Sequence, residues 1–253
     1  MKRSIDFIKK YWITACIYIG IFILYKYIAD NKLINAYLFP SVDSIVAAFK
    51  SNEKTMLLNM LASFELLIPS VVIALAVALP VGTLLGMNKK LREIVFPVVY
   101  SISVVPAILL SPFALLLAPN FRVASIFLVV YNTIWATLFA TINGIMTIDK
   151  RYLDKAATLE LGGYKKMTKV IMPAAMPSIM SGFITSLRGS FVVLVYAEMY
   201  GSNYGLGFFV KKFAEYGLYN VAWSGFIFMV VILVMVMQIF EGIKNHMLKW
   251  TIH

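Results

Sequence analysis

The sequence predicts an all-α integral membrane protein with about six transmembrane helices. Of its 253 residues, 61% are hydrophobic and only 14% are charged, whereas soluble domains carry roughly a quarter charged residues. Several apolar runs reach the roughly 20 residues that a helix needs to cross a bilayer. No stretch alternates in the manner of a membrane β-strand. Because backbone polar groups in lipid must be satisfied internally, we expect helical spans.

Six apolar runs follow one another along the chain, and we interpret each as one span. The predicted spans are 12–29, 61–86, 94–117, 123–145, 176–199 and 221–243. The third contains Pro106 and Pro112, which we expect to break the helix, either to line a cavity or for packing alone. In the connection after the first span, Ser41 is expected to cap a short, separate interfacial helix over 42–50.

No linker, low-complexity tract or second domain is evident, so we interpret 1–253 as a single transmembrane domain with a core over 59–243. Residues 1–58 then form an N-terminal helix and an outer loop. The first apolar run is too long for a signal-peptide core and has no small-residue cleavage site near its end, which predicts a retained helix. The single cysteine, Cys16, is expected to be a small buried apolar residue.

The distribution of Lys and Arg predicts that both termini lie in the cytoplasm. With that orientation, the inner segments hold 15 of these residues and the outer segments hold 7. An excess on the cytoplasmic side is usual for membrane proteins. It accounts for the formal net charge of +11 without a nucleic-acid partner, and we expect none. The inner segments are 1–11, 87–93, 146–173 and 244–253.

The sequence carries no motif for nucleotide hydrolysis, metal binding or catalysis. The phosphate-binding pattern G-x-x-x-x-G-K-[ST], the zinc pattern H-E-x-x-H and the hydrolase pattern G-x-S-x-G are absent. Two His and one Cys show no metal-ligand spacing. We therefore expect no catalytic residue, metal site or cofactor in this chain. Any energy that drives this protein would come from the membrane gradient or from a partner.

The connection at 149–173 is the strongest functional signal. Its 25 residues are long for a connection between helices. Apolar and small residues recur at helical spacing over 152–161, which predicts a helix. Gly162 and Gly163 are expected to end it with a left-handed cap, and Pro173 to mark the return into the membrane. A helix lying on the lipid surface is the alternative.

Two parts of this connection, 156–162 and 170–177, are similar to the cytoplasmic pattern E-A-A-x-x-x-G followed by I-x-L-P of permeases from ATP-binding-cassette (ABC) importers. The chain resembles more narrowly the permeases for nitrate, sulfonates, taurine and thiamine-precursor pyrimidines, over about residues 35–243. The motifs that carry this narrower resemblance are Leu38-Phe39-Pro40-Ser41, Val81-Gly82-Thr83-Leu84-Leu85-Gly86, Val105-Pro106-Ala107, Ser111-Pro112, Ala197-Glu198-Met199 and Gly205-Leu206-Gly207.

The match to the cytoplasmic pattern allows two registers. Aligned on Gly162, the acidic position of the pattern falls on Ala156, and the run to Pro173 is about two residues short. Aligned back from Pro173 without a gap, Asp154 takes the acidic position and Glu160 replaces the glycine. In either register, Asp154 and Glu160 are candidate acids for docking.

The resemblance implies a type I ABC importer permease fold with a cytoplasmic coupling helix, in a homodimer embedded in the lipid bilayer of the cell membrane. ATPase subunits, which carry ATP and Mg²⁺, would dock on the coupling helix, and an extracytoplasmic substrate-binding protein on the outer face. The chain itself would catalyse nothing. The expected docking residues are Asp154, Ala156, Ala157, Glu160, Gly162, Gly163 and Pro173.

Candidate residues for the translocation pathway or its gate are charged groups and prolines within the spans. A charged group in a span is costly and usually faces a cavity or a partner. Arg188 is expected to meet an anionic or polar solute, or else to form an ion pair between helices or to snorkel to the interface. Glu198 is expected to hold a gate or a turn at the outer end. The full set is Arg188, Glu198, Glu65, Pro106 and Pro112.

The sequence leaves open the partner of Glu65 and the role of a polar set on the fourth span. Glu65 could pair with Arg188 or Lys54. Glu65 and Ile184 each stand at a position where the subfamily commonly has arginine. A polar set on the fourth span is expected to join helices before it lines a pathway. These residues are Asn132, Thr133, Thr137 and Thr141.

The predicted function is the permease subunit of an ATP-driven importer for a small polar or anionic solute. Sulfonate, taurine, nitrate and a pyrimidine thiamine precursor are the solutes that the resemblance implies. The alternatives are a gradient-driven secondary carrier, a membrane-embedded enzyme and a membrane scaffold without transport. A carrier would need inverted repeats and several acids within the membrane, and neither is evident.

Overall fold

The computed structural model describes residues 2–31 and 33–249, with side chains from Trp12 onward within those ranges. Every regular element in these residues is helical, which agrees with the predicted fold class. The helices are α1 (Lys2–Asp30), α2 (Val42–Met87), α3 (Lys89–Ser103), α4 (Ser111–Leu117), α5 (Phe121–Met146), α6 (Lys150–Thr158), α7 (Gly163–Lys166), α8 (Met172–Gly201), α9 (Leu206–Glu215) and α10 (Tyr219–Met247).

The spans agree with the predicted number. Among the described residues, five stretches are long and apolar enough to cross a membrane, and α3 with α4 forms a bent sixth. Each predicted run falls on one of these six stretches. The five are Trp12–Asp30, Val42–Met87, Phe121–Met146, Gly163–Gly201 and Tyr219–Met247.

The second span is much longer than predicted. The expectation of a separate helix over 42–50 is wrong, because α2 runs unbroken for 46 residues, or about 70 Å at 1.5 Å per residue. Ser41 is its N-cap, as predicted, and accepts a hydrogen bond from the Ser44 N–H at 3.4 Å. The early part of α2 buries Met56 against Phe209. This packing on α9 favours a continuous helix.

The third span is broken at one of the two predicted prolines. The axis bends by 74° between α3 and the segment Ala107–Leu117, and Pro106 lies at that break. The prediction that Pro112 also breaks the span is wrong. Pro112 lies in the first turn of α4, where a missing N–H removes no helical hydrogen bond. The Tyr131 hydroxyl donates to the Ile102 carbonyl at 2.6 Å, which anchors the bend on α5.

The core of the bundle is α5, which packs between α2 and α8. Hydroxyl pairs join α5 to α8, with Thr133 to Ser190 at 2.5 Å and Thr137 to Ser186 at 2.9 Å. All four residues are buried. The predicted role of the fourth-span threonines in joining helices is therefore confirmed for Thr133 and Thr137.

Close approach of α5 to its neighbours depends on small residues. An added Cβ at Gly82 of α2 would lie 2.7 Å from Cβ of Thr141, and at Gly144 of α5 it would lie 2.8 Å from Cβ of Ser178. At Gly182 of α8 it would overlap the side chain of Ala140. Glycine therefore sets the distance between these helices, as is common inside membranes.

The described side chains of α1 lie largely outside this core. Cys16 is exposed, so the expectation of a buried cysteine is wrong, because no neighbouring helix covers that face. At its far end α1 is attached through Tyr25, whose hydroxyl donates to the Pro40 carbonyl at 2.8 Å. The same loop accepts a hydrogen bond at the Leu38 carbonyl from the Trp223 indole, at 2.9 Å.

Gly182→Ala should destabilise the protein, because the new methyl group overlaps Ala140. Overpacking of this kind costs about 1–3 kcal/mol. The measurement is the thermal unfolding midpoint of the detergent-purified chain. Gly20→Ala is the matched control in α1, where an added Cβ has nothing within 4 Å, and its midpoint should not fall. Equal midpoints for Gly182→Ala and the wild type would contradict the packing described here.

Candidate functional site

The connection between α5 and α8 carries α6, and a hydrogen-bonded fork marks the start of this helix. Asp149 is the N-cap and accepts a hydrogen bond from the Arg151 N–H at 2.9 Å. The Arg151 guanidinium donates to the same carboxylate from Nε at 2.9 Å and from Nη2 at 2.6 Å. These hydrogen bonds hold the pKa of Asp149 below its ordinary value, so the cap stays ionised at neutral pH.

The end of α6 differs from the predicted one. The N–H of Glu160 donates to the Ala157 carbonyl and that of Leu161 to the Ala156 carbonyl, both at 2.9 Å, and Glu160 has a φ of 51°. This is a Schellman motif with Glu160 in the left-handed position. The prediction that Gly162 and Gly163 end the helix is wrong, because α6 stops at Thr158 and Gly163 begins α7.

This geometry bears on the register of the cytoplasmic pattern. The glycine of such a pattern is the residue expected to adopt a left-handed cap. In this chain Glu160 adopts that conformation, which favours the register in which Asp154 takes the acidic position. Sequence alone allowed both registers, because Gly162 and Gly163 lie close by.

The two faces of α6 have different surroundings. Ala156 is buried, and Leu153 packs with the cluster around Ile171. Asp154 and Ala157 are exposed on the other face. The resemblance implies that both alanines dock, but only Ala157 is exposed on the outer surface of the helix.

Beside α6 lies a groove of about 390 Å³. Ala156 and Lys155 form one wall and Pro173, in the first turn of α8, forms part of the other. Beyond the helix, Glu160, Gly162 and Gly163 are exposed. Asp154 and Glu160 form no ion pair among the described residues.

At the opposite end of α8, Glu198 is fully buried and binds the turn into α9. Its Oε2 accepts a hydrogen bond from the Gly207 N–H at 2.8 Å. The preceding N–H groups are bound from α2, with Gly205 donating to Asn59 Oδ1 and Leu206 to Ser63 Oγ, both at 2.9 Å. Side chains from two helices thus satisfy three consecutive N–H groups at the start of α9.

The backbone of this turn requires glycine. Gly205 has a φ of 110°, and a Cβ there would overlap the Glu198 carboxylate; a Cβ at Gly207 would overlap the Val195 carbonyl. Of the two roles predicted for Glu198, holding a gate or holding a turn, the contact with Gly207 agrees with the turn. The sequence did not indicate Asn59 and Ser63. Their spacing of four residues places both on one face of α2, which is a weak signal for their joint role.

The ion pairs differ from those suggested by the sequence. Glu65 pairs with Arg122 at 2.9 Å, so neither Arg188 nor Lys54 is its partner. Arg188 instead lies 3.6 Å from Glu241 of α10. Glu241 also contacts Lys244 at 2.5 Å.

Arg188 is exposed on the side of the single chain, with 64% of its side-chain surface accessible. The aromatic pair Phe183 and Phe240, in edge-to-face contact with centroids 5.4 Å apart, joins α8 to α10. Glu241 was not a candidate from sequence, because it is 53 residues from Arg188 along the chain. The structure therefore brings Arg188 to a small cluster of charges rather than to the other predicted pathway residues.

Comparison with known proteins identifies similar membrane components. Residues 78–251 match the sequence model of the family described as "Binding-protein-dependent transport system inner membrane component". The putative aliphatic sulfonates transport permease protein SsuC of Bacillus subtilis is 27% identical over 68% of this chain and 62% of its own.

Two further relatives have names that specify inorganic anions. The bicarbonate transport system permease protein CmpB of Synechococcus elongatus is 29% identical over 54% of this chain and 50% of its own. The nitrate import permease protein NrtB of Leptolyngbya laminosa is 26% identical over 59% of this chain and 53% of its own length. The matched region thus spans between half and two thirds of the length of these curated relatives.

Among solved structures, a chain from the inward-facing MetNI methionine ABC transporter has the same fold. Its TM-score is 0.59 at 18% identity, over 76% of this chain and 93% of that chain. This likeness confirms the predicted permease fold. Because the family match covers about two thirds of the residues, this multi-pass membrane protein belongs to the family of inner membrane components of binding-protein-dependent transport systems.

Proposed function

We propose that this chain is the permease subunit of an ATP-driven ABC importer in the cell membrane, and that two copies form the path for a small anionic solute. The observation that carries the proposal is α6, a short helix held at both ends, which exposes Asp154 and, just beyond its end, Glu160. ATP and Mg²⁺ would be bound by separate ATPase subunits, and a binding protein would deliver the solute at the outer face.

The exposed face of α6 is suited to docking. Asp154 and Glu160 have no ionic partner among the described residues, and the small Ala157 lies between them in sequence. The N-cap and the Schellman motif restrain the helix, so little conformational entropy is lost on binding. An ATPase surface with cations opposite Asp154 and Glu160 would complement these two acids, while Lys150 and Lys155 present exposed cations beside them. Leu153 and Ala156, on the inner face, would transmit its movement to α8.

The charged cluster on α8 and α10 supports a path for an anion. An arginine exposed to lipid in mid-span is costly, and a second copy of the chain packed on this face would shield it. Arg188 would then line the path between the copies, with Glu241 and Lys244 beside it. The relatives named for sulfonates, bicarbonate and nitrate favour an anionic solute over a pyrimidine.

We infer the orientation from the positive-inside bias. The α6 side of the molecule carries most of the Lys and Arg, which supports cytoplasmic termini and a cytoplasmic α6. The turn held by Glu198 then lies at the outer end, near the expected binding-protein surface. We assign Glu198 a positioning role there, because its carboxylate is buried and bound to Gly207.

Reversing both exposed acids tests the docking surface. Asp154→Lys with Glu160→Lys should lower ATP-dependent uptake at least about tenfold, because like charges would face the partner. The measurement is uptake of labelled sulfonate and nitrate, together with the amount of ATPase that co-purifies. The control is Asp154→Glu with Glu160→Asp, which keeps both charges and should keep uptake. Wild-type uptake in the charge-reversed variant, at normal membrane abundance, would refute docking at α6.

The left-handed position of Glu160 can be tested apart from its charge. Glu160→Gly and Glu160→Ala both remove the carboxylate, but only glycine adopts a φ of 51° without a steric penalty. The Gly variant should therefore be more stable than the Ala variant by about 1 kcal/mol. Thermal unfolding of the two purified variants measures this. A more stable Ala variant would show that the motif does not end α6 in this way.

Arg188 can be tested by removing or keeping its charge. Arg188→Gln should raise the apparent KM for anion uptake by roughly tenfold or more, because a charge-assisted hydrogen bond is lost. Arg188→Lys should keep a larger part of the affinity. Uptake is measured in vesicles that contain the complete importer. An unchanged KM in the Gln variant would place the anion elsewhere.

A further inference from the structure

A second cavity, of about 480 Å³, lies on the α6 side of the molecule and shares no lining residue with the groove beside α6. It opens to the surface and is bordered by the end of α2, the first turn of α3, the end of α5, α6 and the segment that leads into α8. Three cationic side chains line it, and none of its lining residues is acidic. These cations are Lys89, Arg92 and Lys166.

The three cations are only partly used by the protein. Arg92 Nη1 donates to the carbonyls of Leu85 and Gly86 at 2.9 Å and 3.0 Å, so its guanidinium is held in place with Nε and Nη2 still available. Lys89 lies 3.8 Å from Glu93, but both side chains are well exposed and such pairs are weak. Lys166 is half-buried and has no ionic partner among the described residues.

The remaining wall of the cavity is apolar. It includes Met87, Ile145, Met146, Ile148, Leu153 and Ile171. A cavity with cations on one part and hydrocarbon on another matches an amphiphile whose charged group is anionic. A free inorganic anion would make no use of the apolar wall.

The position of the cavity also suits a lipid. The adjoining helix α3 has no buried residue, so it stands at the rim of the bundle, where lipid would contact it. With the orientation given by the positive-inside bias, the cavity lies at the level of the cytoplasmic headgroups. Basic pockets between transmembrane helices at this level are suited to anionic headgroups.

We infer that this cavity binds the headgroup of an anionic phospholipid of the cytoplasmic leaflet. The phosphate lies among Lys89, Arg92 and Lys166, and the acyl chains run along the exposed face of α3. Because Leu153 of α6 and Gly163 of α7 also line the cavity, the bound lipid stabilises the position of the docking segment against the bundle.

The test is a titration of the lipid-depleted full chain in detergent with dioctanoyl phosphatidylglycerol, followed by the shift of the thermal unfolding midpoint. The variant Lys89→Gln with Lys166→Gln should bind about thirtyfold more weakly, which corresponds to the usual contribution of two lysines near an anionic headgroup. The matched control is Lys90→Gln with Lys165→Gln. It removes the same charge from the adjacent residues, which do not line the cavity, and should bind like the wild type.

Three results would overturn the inference. Equal loss in both double variants would show a non-specific charge effect. An equal shift of the unfolding midpoint with dioctanoyl phosphatidylcholine would show that the negative charge does not contribute to binding. An equal shift with inorganic phosphate would show that no lipid is needed. The measurement uses neither ATPase nor solute, so its failure would leave the proposed transport function untouched, and loss of uptake in the α6 variants would not bear on the lipid.

Discussion

The close packing of α5 between α2 and α8 is the interaction on which the other features depend. Inside a membrane, apolar burial gives little drive for helices to associate, and close approach through small residues takes its place. Gly82, Gly144 and Gly182 allow that approach. The hydrogen-bonded hydroxyl pairs Thr133–Ser190 and Thr137–Ser186 fix the position of α5 relative to α8. Both candidate sites are built on the ends of α8, so this packing sets where they lie.

The irregular backbone occurs where helices end, and side chains of the same chain form hydrogen bonds with its N–H groups. At one end of α8, residues from α2 and α8 bind three N–H groups of the turn into α9. At the other end, α6 is held by Asp149 and by the left-handed conformation of Glu160. Because backbone groups must be satisfied near lipid, these ends are well defined. The short α6 is therefore restrained at both ends, as the proposed docking surface requires.

The charges divide into those that hold the structure and those that remain exposed. Arg92 binds the end of α2, and Glu198 binds the start of α9, so both stabilise helix ends. Asp154 and Glu160 stay exposed without ionic partners among the described residues. Arg188 is intermediate, since Glu241 contacts it at 3.6 Å while most of its side chain remains accessible. An exposed charge beside an apolar surface is the pattern expected at an interface with another copy of the chain or with solute.

The amino-acid sequence by itself determined the fold class, the number of spans and the segment that carries α6, because apolar runs of spanning length and a long connection are local properties. It also pointed to Glu198 and to the break at Pro106. Only the tertiary structure decided that α2 is one helix of 46 residues, that Glu65 pairs with Arg122, and that Glu160 is the left-handed residue. It alone joined Asn59 and Ser63 to a turn more than 140 residues away. Such contacts depend on how helices pack against one another, and neither hydropathy nor motif spacing encodes that arrangement.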